Sequence, residues 1–153
     1  MANLQFDESL VLILDEPESY SQVEEKLAEH LLELGYVNET YPKAIATREA
    51  SFPTGLFVDG VNVAMPHCDV EHVKKGAICV GVLKKPVAWR RMDSFEETCP
   101  VSLVIMLALN EAHAHLEMLQ KVVALVQNQD LVERIVSSDD AQSAYELLRE
   151  SLS

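Results

Sequence analysis

Apolar residues along this chain switch between two spacings. LVLIL (10–14) is a short apolar run of strand length. Val23, Leu27, Leu31 and Leu34 then recur at helical spacing. Ser21 and Glu24 make a capping-box pattern at the start of this helix, and Gly35 closes it. A second helix is predicted from about Thr40, with Pro42 tolerated in its first turn, through Ala44 and Ile45 to Arg48 and Glu49. SFPTG (51–55) breaks it, because Pro53 cannot continue the hydrogen-bond ladder.

Strand signals dominate the middle. Residues 61–65 read as a strand ended by Pro66. Residues 77–83 read as another, with Ile78, Val80 and Val82 on one face and Cys79 on the other. Residues 101–109 are almost continuously apolar, as expected of a strand covered on both faces. Asn110 is placed to cap a helix whose stripe is Leu116, Leu119, Val123 and Val126. Shorter helices are predicted at 131–136 and 141–152, the last with Ala141, Tyr145, Leu148 and Leu152 on one face. The order of elements predicts an α/β fold: a mixed sheet covered by helices, in one domain spanning 1–153.

Charge narrows the choice of partners. The net charge is −13, unsuited to neutralising phosphates of nucleic acid or to adsorbing on anionic lipid. The acid is uneven: residues 1–36 carry −8, residues 37–100 carry zero and residues 101–153 carry −5. The balanced middle is where an anionic ligand meets least repulsion. The first residues have neither a basic region nor a long apolar one, and no run reaches membrane-spanning length, so a cytoplasmic protein is expected. Cys68, Cys79 and Cys99 lack metal-knuckle spacing and read as reduced thiols in or near a core.

Five histidines are the candidate chemistry. His30, on an acidic helix face, and His72, in a charged turn, read as solvated. His67 lies just past a strand end behind Pro66, where ligands gather in helix-covered sheets. An imidazole there is a usable nucleophile or base, or a turn histidine with no role. His113 and His115 share a face only on a strand; on a helix they diverge and cannot grip one metal. At a helix N-terminus one of them could stand beside an anion. Gly55 and Gly60 have the spacing of P-loop glycines, but Val61 and Asn62 stand where Lys and Ser or Thr are required.

Arg48–Glu49, PTGL (53–56), Gly60 and VAMPHCD (63–69) occur in an order that resembles the fructose/mannitol-type enzyme IIA domains of the bacterial sugar phosphotransferase system. TYPKAIATREASFPTG followed by AMPHCD is most similar to the galactitol-specific branch. The resemblance implies that His67 is the phosphoryl acceptor, by analogy through Nε2. It implies that His115 in HLEML is a second active-site histidine and that Arg48 helps bind the phosphoryl group. Thr54 and Gly55 are candidates for loop N–H or hydroxyl contacts to that group. The implied partners are the phosphocarrier HPr, as donor, and a IIB cysteine, as acceptor, with IIC in the membrane. No metal or cofactor is expected. A regulatory domain of the nitrogen-related type and a plain metal-binding or structural domain are the competing classes.

Overall fold

The computed structural model describes residues 4–152. Its centre is a five-stranded sheet with the order β1-β4-β5-β3-β2. The strands are β1 (Val11–Leu14), β2 (Gly55–Leu56), β3 (Asn62–Ala64), β4 (Ala77–Arg90) and β5 (Thr98–Ala108). β1 runs parallel to β4 and β3 parallel to β5, while the β4–β5 and β2–β3 pairs are antiparallel. The sheet is therefore mixed, as the element order predicts.

Helices cover both faces, and the period-2 alternation of β4 assigns each residue to its side. Ile78, Val80 and Val82 pack with Leu103 and Ile105 against α3 (Ala114–Gln127), α4 (Gln129–Val136) and α5 (Ala141–Leu152). Cys79 and Leu83 pack with Val104 and Met106 against α1 (Tyr20–Glu33) and α2 (Tyr41–Ser51). A strand buried on both faces needs apolar residues at every position, which is why 101–109 shows no alternation.

Several local expectations are corrected. Helix α1 is capped by Ser19, whose Oγ accepts from Gln22 N at 3.2 Å, while Gln22 Oε1 accepts from Glu18 N at 2.8 Å. The Ser-x-x-Gln pattern at 19–22 wins over Ser21-x-x-Glu24, and Glu24 falls on the buried face instead, 3% exposed. Leu34 is the C-cap and is exposed; Gly35 follows with φ +83°, the left-handed conformation glycine adopts without steric cost. Strand β4 does not stop at Leu83. It bulges between Val82 and Val87, where Pro86 has no N–H to give, and its pairing resumes at Val87–Val101.

Helix α3 begins at Ala114 with His113 as N-cap, not behind Asn110. Its buried stripe is Ala114, Met118, Val122, Leu125 and Val126. Leu116 is 64% exposed. Of the expected stripe, Val126 is buried and Leu119 packs against the core, while Leu116 and Val123 are exposed. His30 and His72 are more than solvated: His30 Nε2 lies 2.6 Å from Ser9 O, and His72 Nδ1 lies 2.8 Å from Thr40 Oγ1.

Candidate functional site

His67 stands just beyond β3, beside the middle of the sheet. Leu107 N donates to Pro66 O at 2.9 Å, and a further parallel bridge joins His67 to Leu107. Leu107 O in turn accepts from the buried Tyr41 hydroxyl at 2.9 Å. The backbone under His67 is thus held by β5 and, through Tyr41, by α2. Met65 O lies 2.9 Å from His67 Nδ1. A carbonyl can only accept, so Nδ1 carries the proton and Nε2 keeps its lone pair.

His115, in the first turn of α3, lies with its ring centroid 4.9 Å from that of His67. Arg48, in the last turn of α2, has Nη1 3.6 Å from Asp69 Oδ1 and its guanidinium 5.3 Å from the Phe52 ring centre. His67, His115 and Arg48 line one cavity of about 370 Å³, together with Thr54, Met92 and Leu116. Arg48 Nε and His115 Nε2 are buried with no hydrogen-bond partner. Leaving such groups unpaired costs about 1–3 kcal/mol each. A tetrahedral oxyanion in this cavity would supply the acceptor that Arg48 Nε lacks, pair with the guanidinium, and accept from His115 in its Nε2–H tautomer.

The electrostatics keep His67 a base without a charge. Burial holds its pKa below the ordinary histidine value; the Met65 hydrogen bond works the other way, and His115 and Arg48 depress it further. His115 is lowered by burial and then by Arg48, with Asp69 opposing. Both rings are therefore neutral at neutral pH. Cys68, the neighbour of His67, is pushed up to about 12, chiefly by burial, so its thiol is no nucleophile here.

The remaining sequence candidates are placed differently. Thr54 reaches the cavity wall, but its donors are already used. Its N–H donates to Glu49 Oε2 at 2.7 Å and its hydroxyl to Glu49 Oε1 at 2.9 Å. Gly55 does not line the cavity; it stands opposite Ala64 in the β2–β3 pair, bridges to Arg91 on its other side, and its carbonyl accepts from Met92 N at 2.8 Å. A Cβ at Gly55 would sit 2.6 Å from Arg90 O, so glycine there allows two backbones to touch. His113 turns outward and pairs with Glu111 at 3.1 Å. The HAH pair is split, as a helix start requires. Reading the sequence alone gave Glu49, Asp69, Met92 and the Met65 carbonyl no role. Glu49 did carry a signal: an acid in the last turn of a helix stands at the wrong end of the dipole.

The family assignment follows from a match over residues 4–151 to the model of "Phosphoenolpyruvate-dependent sugar phosphotransferase system, EIIA 2". The chain belongs to this EIIA family. A galactitol-specific EIIA component of Escherichia coli strain K12 is 31% identical to it over 122 residues, which cover 80% of this chain and 81% of that one. Among solved structures, the mannitol IIA of Escherichia coli superposes with a TM-score of 0.78 at 20% identity, covering 95% of this EIIA chain and 99% of the other. The complex of enzyme IIA mannitol with phosphorylated enzyme IIB mannitol, also from Escherichia coli, matches with a TM-score of 0.77 at 19% identity and covers 97% and 99%. These likenesses establish the α/β fold of the EIIA chain as that of phosphotransferase-system IIA structures. No helix among its described residues is long and apolar enough to cross a membrane.

Proposed function

We propose that this EIIA chain is the phosphoryl relay of a hexitol system, most plainly a galactitol one, and that His67 carries the group. The observation that supports it most is the fixed tautomer of His67. Its Nδ1–H is tied to Met65 O, so Nε2 is left bare on a residue that lines a cavity together with Arg48 and His115, each of which holds a buried nitrogen without a partner.

In the first step Nε2 of His67 attacks the phosphorus of a phosphohistidine on HPr. A P–N bond forms to His67 as the P–N bond to the donor imidazole breaks, and the donor ring leaves with the electron pair. His67 keeps its Nδ1 proton throughout. In the second step a cysteine thiolate of the IIB partner attacks the same phosphorus, and Nε2 leaves. Arg48 and His115 hold the oxygens while charge spreads over them, so catalysis is positioning and electrostatic support. The chemistry needs no metal, because the group arrives already activated on an imidazole. The sugar itself is handled by the IIC membrane component, and the relay works on its cytoplasmic side.

An exposed apolar rim supports protein partners in place of a free metabolite. Phe52, Met92 and Leu116, 65%, 44% and 64% exposed, surround the cavity. Apolar residues grouped around a reactive atom suit a protein face that docks over it. The galactitol assignment rests on the 31%-identical relative.

The test is incubation with phosphoenolpyruvate, enzyme I and HPr, comparing the wild type with His67→Ala. The expected result is an acid-labile, base-stable phosphate on the wild type and none on the variant. Equal labelling of the variant would remove His67 from the role.

A further inference from the structure

The hydrogen bonds of Glu49 tie the end of α2 to the loop that lines the cavity and to β4. Glu49 is 3% exposed and sits beside Arg48 in the last turn of α2. One oxygen accepts from Thr54 N at 2.7 Å and from Trp89 Nε1 at 2.8 Å, and the other from the Thr54 hydroxyl at 2.9 Å. Three elements therefore converge on it: α2, which carries Arg48; the loop after it, whose Pro53 and Thr54 line the cavity; and β4, which carries Trp89. The helix ends between these partners, with Phe52 N donating to Arg48 O at 2.7 Å.

The placement works against helix stability. A buried acid at a helix C-terminus meets the negative end of the dipole and loses its water. What the three donors achieve is geometric: they fix the rotation of the last turn of α2 against the sheet. Arg48 Nε lies in that turn, buried and unpartnered. Its guanidinium meets Asp69 Oδ1 through Nη1 at a long 3.6 Å and the Phe52 ring at 5.3 Å. Phe52 belongs to the same helix end, so both the side chain and this ring support take their direction from the last turn of α2.

We propose that Glu49 is the positioning residue of the phosphoryl site, acting through Arg48 and the Thr54 wall without touching the transferred group. The inference rests on the relay reading above. Glu49→Gln keeps the size but removes the carboxylate: the Thr54 hydroxyl has to turn round to accept from the new amide N–H₂, and Thr54 N and Trp89 Nε1 are left with a neutral acceptor, so the clamp loses its charge-assisted bonds. Misplacement of a clamping group by a fraction of an ångström carries rate losses of about 10- to 100-fold.

The experiment measures phosphoryl acceptance from phospho-HPr by the wild type, Glu49→Gln, Arg48→Ala and the double variant. The expected result for Glu49→Gln is a maximal rate lowered about 10-fold or more, with the half-saturating phospho-HPr concentration unchanged. The double variant should be no slower than Arg48→Ala alone, because one substitution has already removed what the other acts through. A role in general stability would instead multiply the two losses. A wild-type rate for Glu49→Gln, or losses that multiply, overturns the inference while leaving the relay intact. A wild type that accepts no phosphate overturns the relay reading and this inference with it. Should Glu49→Gln fail to fold, Trp89→Phe removes one donor and keeps an apolar ring; an unchanged rate in that folded variant also overturns the proposal.

Discussion

Glu24 offers the sharpest test of the packing. It is 3% exposed, and neither carboxyl oxygen has a hydrogen-bond partner. Burial, and then the neighbouring Glu49, push its pKa from 4.5 up to about 9. The folded protein therefore holds a proton on Glu24 that the unfolded chain releases above pH 4.5. With the folded state binding more protons, stability falls as pH rises from about 4.5 to about 9, by about 1.4 kcal/mol per pH unit. Glu24→Met has similar length and no proton to hold. Its stability advantage should grow by about 2.7 kcal/mol between pH 5.5 and 7.5. It should already be positive at the lower pH, because removing an unpaired buried polar group recovers about 1–3 kcal/mol. Urea unfolding at both pH values measures this. The reporter is Trp89, the chain's single tryptophan, which is fully buried. Subtracting wild type from variant cancels the titrations of groups that do not interact with Glu24. A difference that stays constant with pH would mean that Glu24 is ionised and solvated in the folded protein, and would refute the reasoning.

Arg48→Lys should restore little of the transfer rate lost in Arg48→Ala, since an ammonium cannot hold two oxygens as a planar fork does; rapid-quench transfer from phospho-HPr measures both. His115→Ala should slow transfer by about 10-fold while leaving the acceptor in place, and a wild-type turnover would assign this ring to the cavity wall alone. The acid limb of phosphoryl acceptance by His67 should lie below the ordinary histidine value near 6.5, because the lowered pKa keeps its ring neutral there; histidine NMR titration locates it directly. Gly55→Ala places a methyl group 2.6 Å from Arg90 O, against backbone that cannot rotate away, and should cost about 1–3 kcal/mol in thermal or urea unfolding.

Residue patterns made the architecture legible because both spacings are set by burial. The alternation in β4 and the doubly covered run in β5 could only come from a sheet between helix layers. What escaped the pattern were choices between neighbours that only tertiary contact makes. Two capping motifs overlap near residue 20, and the winner decided whether Glu24 faced water or core. Two apolar stripes overlap on α3, and the sheet took the one containing Met118 and Val122, leaving Leu116 at the cavity rim. At the site, Arg48, His67 and His115, far apart in the chain, line one cavity. Thr54 is drawn aside by Glu49, a partnership that no local spacing announces. The two-residue strand β2 is too short to carry any period.

The carbonyl of Met65 has a consequence for how such a carrier changes state. On the proposed role of His67, a group added at Nε2 would leave the Nδ1–H bond to Met65 untouched, so loading and unloading would require no tautomer exchange and no movement of β3. The loaded and empty forms can then present nearly the same backbone to whatever docks over Phe52, Met92 and Leu116. A donor and an acceptor reading one unchanging face must take turns upon it, and direction comes from which of them holds the group more weakly.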